Sequence, residues 1–139
     1  MQTQALTRVA WWMIGLGMLG GAVLGCWSFG GPIAPPAGFS HYDDAPRRLL
    51  RLAHIALIAL PILALELGRT LPQTRLGEVA TRRVQHALLF GLIALPTLLT
   101  AAAVLPWALY LLPLPVCALM GSAFTVALGL GRAAQTEAP

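Results

Sequence analysis

The chain has 139 residues, of which 58% are hydrophobic and 10% are charged, and its formal net charge is +4. Soluble globular domains carry about a quarter charged residues, so this composition excludes an ordinary water-soluble domain and favours a membrane protein. The nine basic residues are all arginines scattered among short polar segments, which excludes the continuous basic surface of a nucleic-acid-binding domain.

The first apolar segment, residues 9–27, predicts a membrane-spanning helix. At about 1.5 Å per residue its nineteen residues cross a hydrocarbon core of about 30 Å. Trp11, Trp12 and Trp27 mark its two ends, as interfacial aromatic residues do. The alternative is a secretory signal whose Val23–Cys26 box would lead to lipidation of Cys26. A single arginine precedes the apolar run, which disfavours that alternative.

Residues 28–45 are rich in glycine and proline and predict an extended loop. The second predicted span covers residues 46–67. We expect Asp44 to cap its amino terminus, Pro46 to occupy its first turn and Gly68 to end it.

Two further spans follow a polar connection at residues 68–80, and they cover residues 81–105 and 114–131. The prolines and aromatic residues between them predict a tight turn at the lipid headgroups. The fold class is therefore all-α: an integral membrane four-helix bundle, antiparallel in up-down-up-down order, with residues 1–139 as a single transmembrane domain.

The arginines indicate the orientation. Six of them flank one side of the predicted bundle (Arg8, Arg69, Arg75, Arg82, Arg83 and Arg132), and the other three flank the opposite side (Arg47, Arg48 and Arg51). By the positive-inside rule both termini and the 68–80 connection are cytoplasmic, and the 28–45 loop faces outward. We expect a multi-pass protein of the bacterial inner membrane.

Glycines repeat every four residues in the first and fourth spans. The two ridges consist of Gly17, Gly21 and Gly25, and of Gly121, Thr125 and Gly129. Small residues at this spacing let another helix approach closely, which is how helices associate in lipid. The helix packed there could belong to this chain or to a partner.

Polar residues are concentrated in positions 41–54. Arg47, Arg51 and His54 share one helix stripe that runs from the interface into the apolar zone. The arginines could bind lipid phosphate or offset the charge of a haem propionate or a quinone. His41 and Asp43 are candidate ligands of a metal ion at the outer surface.

His54 and His86 are candidate ligands for haem b or a quinone. Each lies near the start of its own span, so in antiparallel helices they fall toward opposite membrane faces. A single bis-histidine haem needs both ligands at one depth, so each histidine would need its second ligand from another chain or from His41. The sequence leaves the cofactor itself unknown.

No nucleophile lies in a recognisable catalytic motif, so we expect no catalytic activity of the chain's own. The interpretation that we favour is an accessory or assembly subunit of a larger membrane complex, respiratory or photosynthetic. The alternative is a haem- or quinone-binding electron-transfer subunit that uses His54 and His86. The expected partners are membrane lipids and other membrane subunits or further copies of this chain, and not nucleic acid.

Overall fold

The computed structural model describes residues 2–28 and 31–137, with side chains described for 4–28 and 31–131. Within those ranges the chain is helical and contains no strand. The helices are α1 (Gln2–Gly25), α2 (Ala45–Thr70), α3 (Glu78–Ala102) and α4 (Pro113–Glu137), with short 3-10 helices at Leu71–Gln73 and Pro106–Leu111. Four segments are long and apolar enough to cross a membrane: Gln4–Gly25, Ala45–Gln73, Glu78–Ala102 and Pro106–Gly131. The predicted all-α fold with four candidate spans is confirmed.

The end of α2 differs from the prediction. Gly68 does not end the helix, which continues to Thr70 and passes into the 3-10 turn that contains Pro72. Gly68 is buried, and a Cβ atom built there would lie 3.3 Å from a methyl group of Leu6. This glycine therefore permits close packing of α1 rather than a change of chain direction.

Asp44 occupies the N-cap position of α2 and Pro46 lies in the first turn, as predicted. The prediction of a side-chain cap is wrong, because the Asp44 carboxylate accepts no hydrogen bond from an N–H of the helix. It accepts instead from the backbone N–H of His41 at 2.8 Å, which closes the turn before the helix.

The helices pack in chain order, with α1 on α2, α2 on α3 and α3 on α4. Near the end of α2, Gly68 meets Leu6 of α1, whereas Gly17 meets Leu57 in the middle of α2. The two helices therefore run in opposite directions. Among the described residues, three buried apolar clusters lie between the helices, and α3 contributes Leu88 to the first, Leu92 to the second and Leu99 to the third.

The outer helices keep large apolar faces exposed. Trp12 on α1 is 73% exposed, and Phe124 on α4 is 63% exposed. A soluble protein rarely exposes such faces, whereas lipid solvates them without cost.

The loop between α1 and α2 folds back on the end of α1. The backbone N–H of Ile33 donates to the Cys26 carbonyl at 3.2 Å, and the rings of Trp27 and Phe39 lie 6.3 Å apart. A turn from Pro36 to Phe39 reverses the chain, and Gly38 adopts the left-handed φ of 84° that this turn requires. The loop is thereby placed beside the first turn of α2.

Candidate functional site

His54 lies at the contact between α1 and α2. Its Nδ1 atom is 2.8 Å from the carbonyl oxygen of Gly17, thirty-seven residues earlier in the chain. A Cβ atom at Gly21 would lie 2.5 Å from Cε1 of the imidazole, a distance that real Cβ atoms essentially never show. The ring therefore occupies the space that Gly21 leaves open.

The hydrogen bond to Gly17 fixes the tautomer of His54. A carbonyl oxygen can only accept, so Nδ1 must carry the proton. In the neutral imidazole the other nitrogen, Nε2, is then an acceptor. Metal-ligating and ligand-binding histidines are commonly oriented by a bond of this kind to a backbone carbonyl.

A pocket of about 340 Å³ opens between α1 and α2 beside His54. Its walls are almost entirely apolar and include Leu16, Val23 and Leu50. Trp27 lines it, and so does Thr100 of α3, whose side chain carries a hydroxyl. That hydroxyl donates to the carbonyl of Pro96 at 2.9 Å, so its oxygen can still accept a hydrogen bond.

Arg47 is buried, with only 6% of its surface exposed, although it carries a permanent charge. Its Nη2 donates to the carbonyl of Trp27 at 2.6 Å and to the hydroxyl of Ser28 at 3.2 Å. Its Nη1 lies 3.4 Å from the carbonyl oxygen of Phe39 and 3.5 Å from that of Ser40. The guanidinium thus donates hydrogen bonds to oxygens of residue 27 and of the 28–45 loop, and it joins this loop to α2.

Arg51 lies one turn after Arg47 and contacts the same loop. Its guanidinium carbon is 3.7 Å from the centre of the Tyr42 ring, and its Nη1 donates to the Tyr42 carbonyl at 3.1 Å. Both arginines that were candidates for ligand charge therefore contact the outer loop. His54 is the member of the stripe that faces α1 and the pocket.

The structure does not bring His86 to His54. His86 is exposed and follows Val84, whose cluster contains Leu71 at the end of α2. His54 lies next to Ala53, whose cluster contains Leu99 near the other end of α3. The two histidines therefore lie toward opposite ends of the α2–α3 pair, as the antiparallel argument predicts.

His41 and Asp43 are both exposed in the outer loop. Among the described residues, no three side chains of His, Cys, Asp or Glu come together in a way that could hold a metal ion. The proposed pair of ligands is thus not completed by a third one in the described part of the chain.

The glycine ridges divide between internal and open positions. Gly17 and Gly21 are occupied by α2, because a Cβ at Gly17 would lie 2.7 Å from Ile58. Gly129 is buried, and a Cβ there would lie 2.9 Å from the Cβ of Thr74. Among the described residues, no atom lies within 4 Å of a Cβ at Gly25 or at Gly121.

Gly121 lines a second groove, of about 640 Å³, between α3 and α4. Small side chains form its floor and walls, and Arg83 stands among the lining residues. The small lining residues are Gly77, Ala80, Ala87, Cys117, Ala118, Gly121, Ser122 and Thr125. Ser122 and Thr125 donate to carbonyls of their own helix, at 2.8 and 2.7 Å, so the groove presents few unpaired donors. We call this feature the α3–α4 groove.

Four residues at these sites were not predicted: Trp27 and Thr100 in the pocket, Ser28 at Arg47 and Tyr42 at Arg51. Trp27 carried only an interfacial signal, Tyr42 stands in no recognisable motif, and no periodicity links Ser28 to Arg47 across nineteen residues. Thr100 could have been found, because it is one of few hydroxyls within an apolar span.

Comparison of the chain with protein-family models, with curated proteins and with solved structures found no match.

Proposed function

We propose that this chain is a multi-pass protein of the bacterial inner membrane that acts by association, as an accessory or assembly subunit of a larger respiratory or photosynthetic complex. The observation that supports this most directly is the α3–α4 groove. It is open, lined by small residues and located on a face that the described residues leave uncovered.

Such a groove suits a transmembrane helix of another subunit. In lipid there is no hydrophobic drive for association, so close van der Waals contact between small residues holds helices together. The Gly121 position offers that contact, since no atom within 4 Å would oppose even a Cβ there. The Gly17 and Gly21 positions do not, because α2 already occupies them.

The orientation that we propose has both termini and the 68–80 connection in the cytoplasm and the 28–45 loop outside, with helices in up-down-up-down order. The opposite directions of α1 and α2 are consistent with this order. The surplus of arginines on the side of the termini supports its sense, by the positive-inside rule.

Cross-linking through Cys117 tests the association. This exposed cysteine lines the groove, and replacing Cys26 with Ser leaves it as the chain's sole thiol. In native membranes a thiol-to-amine cross-linker should give an adduct of one discrete mass, whose partner is identified by mass spectrometry. Gly121→Leu should remove the adduct by filling the groove.

Gly15→Leu is the matched control, because Gly15 is also helical, exposed and open but lies on α1. It should leave the adduct unchanged. A chain that gives no discrete adduct and migrates as a lone monomer in mild detergent would contradict the proposed role.

Electron transfer is the second candidate function, and the orientation of His54 favours it. The Nδ1 bond to Gly17 leaves Nε2 as the ring nitrogen that could bind a ligand, and metal-ligating histidines commonly have their other nitrogen bonded in this way. A haem at His54 would need its other ligand from a second chain or from His41, because His86 lies toward the opposite end of α3. A Soret band in the purified complex that is lost in His54→Ala and kept in His86→Ala would support haem at His54. A spectrum without a Soret band would exclude haem b from the purified protein.

A further inference from the structure

We propose that the pocket between α1 and α2 binds a membrane-soluble hydroquinone, and that Nε2 of His54 accepts the hydrogen bond from one of its phenolic hydroxyls. This inference goes beyond the proposed association and does not depend on it. It rests on an unpaired hydrogen-bond acceptor of His54 and on the scarcity of hydrogen-bond donors among the residues that line the pocket.

The first observation is that Nε2 of His54 has no partner among the described residues. The sole hydrogen bond of the ring goes from Nδ1 to Gly17. In the described part of the chain no buried side-chain nitrogen or oxygen lacks a partner, so Nε2 must be at least partly exposed, and His54 is one of the residues that line the pocket. An acceptor exposed to hydrocarbon without a donor is unfavourable, and a ligand that donates would relieve this cost.

The second observation is the balance of donors and acceptors in the pocket. Thr100 has already used its proton on the carbonyl of Pro96, so it has no donor left for a ligand. Among the described lining residues, the indole N–H of Trp27 is the only side-chain donor that remains. An unpaired acceptor at His54 and a single remaining donor fit a molecule whose hydroxyl groups donate.

This balance discriminates between the two redox forms of a quinone. A hydroquinone donates through its hydroxyls, whereas the carbonyl oxygens of the oxidised form can only accept. The oxidised form would leave Nε2 of His54 unpaired and could use only Trp27 as a donor. We therefore expect the reduced form to bind more tightly.

The size and walls of the pocket match one ring. Its volume of about 340 Å³ lies at the lower end of the range of small-molecule sites, which is roughly 300–1,000 Å³. The apolar walls suit an alkyl-substituted ring that enters from the lipid. Leu16 and Leu19 on α1 and Leu50 on α2 are among the side chains that would contact it.

The test is equilibrium binding of a decyl-substituted benzohydroquinone to the full chain in lipid nanodiscs under anaerobic conditions, with empty nanodiscs as the blank. The matched ligands are the oxidised quinone and the dimethyl ether of the hydroquinone, which has no hydroxyl proton. Both should bind about tenfold more weakly, the effect of one lost hydrogen bond in an apolar site.

His54→Phe should abolish this preference, so that all three ligands bind with similar affinity. Equal affinity of the three ligands for the unmodified protein would overturn the proposal. A folded His54→Phe protein that still prefers the hydroquinone would overturn it too. If His54→Phe does not fold, the ratio of hydroquinone to dimethyl ether on the unmodified chain decides the question alone.

Discussion

The Nη2 atom of Arg47 lies 2.6 Å from the carbonyl oxygen of Trp27, so a buried cation connects the end of α1 to the start of α2. No carboxylate takes part in this contact. The guanidinium has three further acceptors, which are oxygens of Ser28, Phe39 and Ser40 in the outer loop. The position of that loop, and with it one edge of the His54 pocket at Trp27, depends on this arginine.

Arg47→Leu should lower the free energy of unfolding by about 1–3 kcal/mol, because loop carbonyls that are shielded from water lose their donor. The measurement is loss of helicity in a detergent titration with SDS. Arg48→Leu is the control, since Arg48 is exposed and should change the free energy of unfolding by no more than about 0.5 kcal/mol. Equal effects of the two substitutions would show that the loop oxygens are satisfied without Arg47.

Gly21→Ala should destabilise the α1–α2 contact by about 1–3 kcal/mol, because its Cβ would overlap the His54 ring, which is held by its bond to Gly17. Gly25→Ala is the matched control on the same ridge. Nothing lies within 4 Å of its Cβ, so this substitution should be neutral or slightly stabilising. Combining Gly21→Ala with His54→Ala should restore most of the loss, and a double-mutant cycle measures the coupling. If the effects of the two substitutions on the free energy of unfolding were additive, this would contradict the contact.

The Gly21–His54 contact also shows how far the sequence predicts this molecule. The four spans follow from apolar runs of membrane length, which is why they were predictable. The glycine ridge predicts a close approach, but it does not say which helix approaches. The partner of Gly21 is set by the direction and register of α2, which bring His54 to it across thirty-two intervening residues.

Arg47 shows the complementary limit. Its place on the stripe with Arg51 and His54 was predictable from spacing, but its burial was not. Burial arises because the glycine- and proline-rich loop folds over it and supplies oxygens, and loop conformation has no periodic signal. The prediction that Gly68 ends α2 was wrong for a related reason. A glycine near a helix end is typical of helix termination and equally typical of close helix packing.

Tyr42→Leu should lower the free energy of unfolding by about 0.5–1 kcal/mol, because the Arg51 guanidinium lies 3.7 Å from the centre of the Tyr42 ring. Tyr42→Phe keeps a π face and should retain most of that stability. Tyr110→Leu is the control, because Tyr110 is 85% exposed. The same SDS titration compares the three variants, and a Tyr42→Phe loss as large as that of Tyr42→Leu would assign the effect to the hydroxyl instead.

Cysteine labelling in intact cells tests the proposed orientation. Ala37 in the outer loop and Gln73 in the 68–80 connection are both exposed, and each can be changed to Cys after Cys26 and Cys117 are replaced with Ser. A membrane-impermeant maleimide should label Ala37→Cys in intact spheroplasts and Gln73→Cys only after permeabilisation, because arginine-rich segments are retained in the cytoplasm. The reverse labelling pattern would show that the bundle has the opposite orientation, with the His54 pocket in the inner half of the membrane. Labelling of both sites in intact spheroplasts would mean that the 28–45 loop and the 68–80 connection share one side, which α2 as a spanning helix does not allow.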